Sequence, residues 1–147
     1  MMEAVPRGAL SGGFVLHWNR RPVATLDVSA WRERAEIEID GERYTFRRER
    51  VLGGAFLLER GEQVIARANK PSALRSVLEL EIDGRTYTFR RRSWLSREFA
   101  LFIGGQRVGG VSPTAWYARR SVIRVPVHWH PALQAFLFWL ALTMEAK

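Results

Sequence analysis

The chain has 147 residues, 47% of them apolar, enough for one domain with a real core and too apolar for a disordered chain. It contains no cysteine, so disulfides and thiolate metal sites are excluded. The net charge is +8 and comes almost wholly from arginine, Lys70 and Lys147 being the only lysines. Such a balance favours polyanions or anionic membrane surfaces as partners. Residues 1–13 lack the basic start and apolar core of a signal peptide. They read as a flexible lead-in to a cytoplasmic domain over 14–147.

Residues 14–28 hold two strand-like runs around a polar turn at Asn19-Arg20-Arg21-Pro22. Proline at the start of the second run suits an edge strand or a turn. Residues 34–48 then read RAEIEIDGERYTFRR. Asp-Gly between two alternating runs is a strong hairpin signal, because a type I′ turn needs positive φ at both central residues. With Asp40-Gly41 at the turn, Ile37 faces Tyr44 and Ala35 faces Phe46. One face is then apolar, and the other carries Glu36, Glu38, Arg43, Thr45 and Arg47, as in a sheet buried on one side. Residues 55–68 form another hairpin around Arg60-Gly61-Glu62, and Asn69-Lys70-Pro71-Ser72 breaks the pattern.

Residues 78–92, LELEIDGRTYTFRRR, repeat the earlier hairpin. Ile39-Asp40-Gly41 returns as Ile82-Asp83-Gly84, and Tyr44-Thr45-Phe46-Arg47-Arg48 as Tyr87-Thr88-Phe89-Arg90-Arg91, both at an offset of 43. The likeness extends to Phe56 and Phe99, Leu58 and Leu101, and Gly61 and Gly104. Two copies cannot close a propeller, so the repeat is read as a duplication inside one barrel. Residues 98–111 supply a hairpin turning at Gly104-Gly105, with Gly109-Gly110 marking a bulge or a close backbone approach. Residues 119–125 are the last strand. Pro131 opens a helix at a position where a missing N–H costs nothing.

That helix, about 130–146, reads PALQAFLFWLALTM over 131–144 and is apolar all round, so it must be buried on every side. It is too short to span a bilayer, which takes roughly 20 apolar residues. Trp139 lies mid-helix, a poor place for an interfacial anchor. Lys147 follows the helix as a match to its negative end. The expected fold is an all-β, closed antiparallel barrel of 11–12 strands around a hydrophobic C-terminal helix, which fills the interior and removes the sheet edges.

The meander of hairpins, the Ile-Asp-Gly-x-x-Tyr-Thr-Phe-Arg-Arg hairpin occurring twice, the Lys70-Pro71-Ser72 break and the terminal apolar segment together resemble the tubby C-terminal-like superfamily. That superfamily includes the LURP-one-related proteins and the phospholipid scramblases. The resemblance covers residues 14–147 and implies a roughly twelve-stranded barrel around a buried C-terminal helix. It also implies phosphoinositide or anionic phospholipid binding. The acidic calcium-binding segment of the scramblases is absent from the sequence.

The arginine clusters are the most informative polar feature. Arg47 and Arg48 recur as Arg90 and Arg91, with Arg92 added, while Glu42 and Glu49 of the first copy become Arg85 and Arg92 in the second. The second copy is the more basic. These five, Arg47, Arg48, Arg90, Arg91 and Arg92, are the candidate phosphate or headgroup contacts, through bidentate guanidinium–phosphate bonds. The competing reading is a set of solvated strand ends with cross-strand Glu partners. Base stacking on nucleic acid is disfavoured, because the hairpin register turns Tyr44, Phe46, Tyr87 and Phe89 inward. His128-Trp129-His130 lacks the further ligands of a metal site. His130 is read as capping the helix start and Trp129 as packing on the barrel mouth.

Catalytic motifs are absent, and Asp40 and Asp83 are accounted for by turn chemistry. The expectation is a monomeric, non-enzymatic binding module without cofactor or metal, cytoplasmic and peripheral at the inner membrane face. The alternative is a protein-interaction or structural module whose basic charge is incidental.

Overall fold

The computed structural model describes residues 1–8, 13–27, 34–50, 53–71, 76–115 and 118–145. Twelve strands precede one helix. In chain order they are β1 (Met2–Pro6), β2 (Gly13–Trp18), β3 (Arg21–Asp27), β4 (Arg34–Ile39), β5 (Glu42–Arg50) and β6 (Gly53–Arg60). There follow β7 (Gln63–Asn69), β8 (Val77–Ile82), β9 (Arg85–Arg91), β10 (Phe99–Ile103), β11 (Gln106–Pro113), β12 (Ser121–Arg124) and α1 (Pro131–Glu145). All ladders are antiparallel, in the order β3-β2-β1-β12-β11-β10-β9-β8-β7-β6-β5-β4. The end strands β3 and β4 come together without a ladder among the described residues, so the barrel is nearly closed.

The Asp-Gly hairpins take the expected register. Ile37 faces Tyr44 and Ala35 faces Phe46, and Leu80 faces Tyr87 and Leu78 faces Phe89. Asp40 and Gly41 have φ of 52° and 79°, and Asp83 and Gly84 50° and 73°, as a type I′ turn demands. The inward residues enclose α1, whose side chains are buried from Pro131 through Ala141. Phe46 and Phe56 both meet Trp139, at ring distances of 5.6 and 5.7 Å, and Phe14 meets Phe138 edge-on at 4.9 Å. Trp139 is fully enclosed. A twelve-stranded barrel is wide enough to need such a filling, and a helix apolar on every face supplies it. Lys147, expected to offset the helix's negative end, lies outside the described residues, as does Ser72 of the Lys70-Pro71 break.

One expectation is corrected. Residues 2–6 are not a lead-in but strand β1, zipped between β2 and β12 with Met2 and Ala4 fully buried. The physical reason is that β12 would otherwise present an open edge to solvent.

This strand completes a third unit. Ala4 faces Leu16 as Phe46 faces Leu58 and Phe89 faces Leu101. Ser121 faces Ala4 as Ala35 faces Phe46 and Leu78 faces Phe89. A register shift follows Leu16, Leu58 and Leu101 alike. The barrel is therefore three four-stranded units, β4–β7, β8–β11, and β12 with β1–β3. The expected close approach at Gly109-Gly110 is also present: a Cβ on Gly109 would collide with the Arg124 carbonyl, and one on Gly110 with the Phe99 carbonyl.

Candidate functional site

The barrel has two unlike ends. Tight two-residue turns (19–20, 40–41, 61–62, 83–84, 104–105) lie at the end where α1 begins, and the other strand-to-strand connections lie where it finishes. At the starting end, His130 Nδ1 accepts the Ala132 N–H at 3.0 Å, and its Nε2 lies 3.4 Å from the Tyr44 hydroxyl. His130 thus caps the helix, while buried Trp129 packs edge-on against Tyr87 at 5.1 Å. No group of three His, Asp or Glu side chains among the described residues is placed to hold a metal ion.

The finishing end is cationic. Phe14, Phe56 and Phe99 occupy equivalent positions of the three units, and each carries a guanidinium over its ring. Arg119 lies 5.5 Å from the first ring, Arg48 4.6 Å from the second and Arg91 5.8 Å from the third, within cation–π range. Arg97 adds an ion pair to Glu145 at 3.8 Å in the last turn of α1. The negative end of the helix is thus met by an arginine of the β9–β10 connection, its own last turn carrying no basic residue. Burial pushes the Glu145 carboxyl up, with Arg97 and then Arg91 opposing.

Of the five arginines singled out in the sequence, the structure brings Arg90, Arg91 and Arg92 together and leaves Arg47 and Arg48 elsewhere. Strands β5 and β9 are four ladder spacings apart around the wall, roughly 19 Å. Arg47 is neutralised by Glu59, at 2.6 Å from Nε and 3.3 Å from Nη2, and this hydrogen bond raises its pKa further. Arg48 bonds the Gly54 carbonyl at 3.3 Å.

The second cluster lines a hollow of about 410 Å³ on the outer wall of β9, β10 and β11. Its lining is Arg90, Arg91, Arg92, Arg107, Glu98, Phe102 and Ala100. Among the described lining residues, four guanidinium groups stand beside one carboxylate, and two of them bond it. Glu98 accepts from Arg107 at 3.0 Å and from Arg92 at 3.3 Å. Arg91 donates to the Ser96 carbonyl at 2.6 Å. Arg90 is exposed and lies 4.6 Å over the Phe102 ring.

The Arg107 hydrogen bond, followed by that of Arg92, holds the Glu98 carboxyl below the usual carboxylate range against partial burial. Its stabilising contribution is present above the ordinary carboxylate pKa and is lost as pH falls through the depressed folded value. Acidification to that point also removes the one negative charge among the described lining residues of the hollow.

Sequence reasoning missed Arg107, Glu98 and Phe102. The Gly104-Gly105 turn was the available signal, since counting back from it sets Phe102 opposite Arg107. Also missed was the β9–β10 connection, which exposes Trp94 and Leu95.

Compared with protein-family models, with curated proteins and with solved structures, the chain finds no match. No helix among the described residues is long and apolar enough to cross a membrane.

Proposed function

We propose that the chain is a non-enzymatic binding module for anionic phospholipid headgroups or another phosphorylated ligand. The observation that carries this reading is the hollow on β9–β11, where four arginines are offset by the single carboxylate of Glu98. Guanidinium forks match phosphate oxygens, and Arg90 lies over the Phe102 ring rather than against a carboxylate. Close to an anionic membrane each such residue contributes about 1 kcal/mol. We propose Arg90, Arg92 and Arg107 as the main ligand contacts, with Arg91 held by its Ser96 bond as part of the floor. Kinship with the tubby-like superfamily, which implies a roughly twelve-stranded barrel around a buried C-terminal helix, belongs to the same proposal.

The test is titration with inositol hexakisphosphate and co-sedimentation with phosphatidylserine vesicles, each at low and at physiological salt. Both should show binding that weakens as salt rises and is lost in an Arg90→Ala/Arg107→Ala variant that keeps the wild-type circular dichroism. Binding that survives this variant, or no binding of either probe at low salt, would sink the reading.

A further inference from the structure

The hollow is continuous with a second feature that has no structural role inside the barrel. Its lining residues Arg92 and Glu98 are the two stems of the β9–β10 connection, joined by the bond from Arg92 N–H to the Glu98 carbonyl at 2.9 Å. The tip is a turn closed by Ser96 N–H on the Ser93 carbonyl at 3.0 Å. Arg91 braces it at the Ser96 carbonyl at 2.6 Å, and the Ser96 hydroxyl accepts the Glu98 N–H at 3.0 Å. At the apex of this braced turn stand Trp94 and Leu95, 82% and 76% exposed. Two large apolar side chains side by side in water are unfavourable, and here four hydrogen bonds hold them out.

We infer that Trp94 and Leu95 are a membrane wedge. They enter the interfacial layer of an anionic bilayer while the arginines of the adjoining hollow engage lipid headgroups. Tryptophan favours that layer, with its ring among acyl chains and its N–H toward water. A charged patch or a small apolar anchor alone gives marginal attachment, and the two together give stable recruitment. The bilayer is favoured over a protein groove by charge complementarity, since the apolar tip is flanked at its stems by Arg91, Arg92 and Arg97. Because the turn is already braced, docking orders little additional chain.

The inference rests on the hollow being an anion site and adds an orientation. The end of the barrel where α1 finishes faces the membrane, marked by the Arg97–Glu145 pair. The end where α1 begins, marked by fully exposed Val127, faces away.

The chain has no cysteine, so single-cysteine variants can be labelled cleanly. Leu95→Cys and Val127→Cys, each carrying a nitrobenzoxadiazole dye, are mixed with vesicles of phosphatidylcholine alone or with added phosphatidylserine. The expected result is a blue shift and increased intensity at position 95 with the anionic vesicles only, and no change at 127. In parallel, Trp94→Ala/Leu95→Ser should lower partition onto anionic vesicles about tenfold or more while leaving inositol hexakisphosphate affinity as in the wild type.

If the soluble polyphosphate binds but vesicles do not, or vesicles bind with no change at 95, the wedge is overturned and the anion site stands. If neither probe binds, both fall. A shift at 127 equal to that at 95 overturns the orientation and the wedge with it.

Discussion

In the unit β4–β7, Arg47 meets the carboxylate of Glu59 at 2.6 Å, and at the matching position of β8–β11, Arg90 meets the ring of Phe102 at 4.6 Å. Glu49, bonded to the Ala55 N–H and to Arg67, becomes Arg92. Residues 34–69 hold seven basic and seven acidic side chains, against six and four in residues 77–112, so of these two units β8–β11 alone is left with an excess of cations. The inward positions have not diverged in this way: Tyr44 and Tyr87, Phe46 and Phe89, Phe56 and Phe99, Leu58 and Leu101 are all buried. Both units must pack the same helix, and close packing tolerates little change of volume. The outer faces carry no such constraint, which is why the candidate site is found where the copies disagree.

The largest effect tests the shared interior. Phe46→Ala and Phe89→Ala should each destabilise by about 3–5 kcal/mol in chemical denaturation, because each empties a fully buried ring position. Costs that differ by more than about 2 kcal/mol would break the equivalence of the two units. A smaller effect tests the divergent exterior. Phe102→Glu places beside Arg90 the carboxylate that Arg47 already has, and should weaken inositol hexakisphosphate binding about tenfold, or about 1.4 kcal/mol. Unchanged affinity would show that Arg90 is not a contact. The smallest is a difference in stability. Arg47→Ala should cost about 1 kcal/mol, since it strands the mostly buried Glu59, whereas exposed Arg90→Ala should cost no more than about 0.5 kcal/mol.

Much of the barrel was legible because its strongest signals are local. An Asp-Gly turn sets the register of the strands beside it, and a helix apolar on every face must be enclosed. The third unit was hidden because the chain divides it: β12 lies at one end of the sequence and β1–β3 at the other, so no fixed offset reveals it. Strand β1 was missed for the same reason, as its five residues offer only Met2 and Ala4 as an inward pair and its partner Ile123 is remote. At the site, Arg90, Arg91 and Arg92 are contiguous and were seen as a group. The pairing of Arg47 with Glu59 depends on the strand β6 laid beside β5, which a list of charges does not disclose. Trp94-Leu95 is too short an apolar run to be told from core by pattern.

The division of the third unit also governs how the chain acquires its structure in time. Met2 is paired with Ile123, so the β1–β12 seam closes a loop of about 120 residues, and loop closure of that size must be met before the contact repays it. The interior of every unit needs α1, which is contributed by residues 131–145. No four-stranded unit can therefore rest in a stable form while the others assemble, unlike the units of a solenoid, which lean only on their neighbours. A topology of this kind folds slowly, on the order of milliseconds to seconds for a small β domain. Until the helix docks, β1 and β12 wait with bare edges, and that interval is when the chain is most open to pairing with another copy of itself.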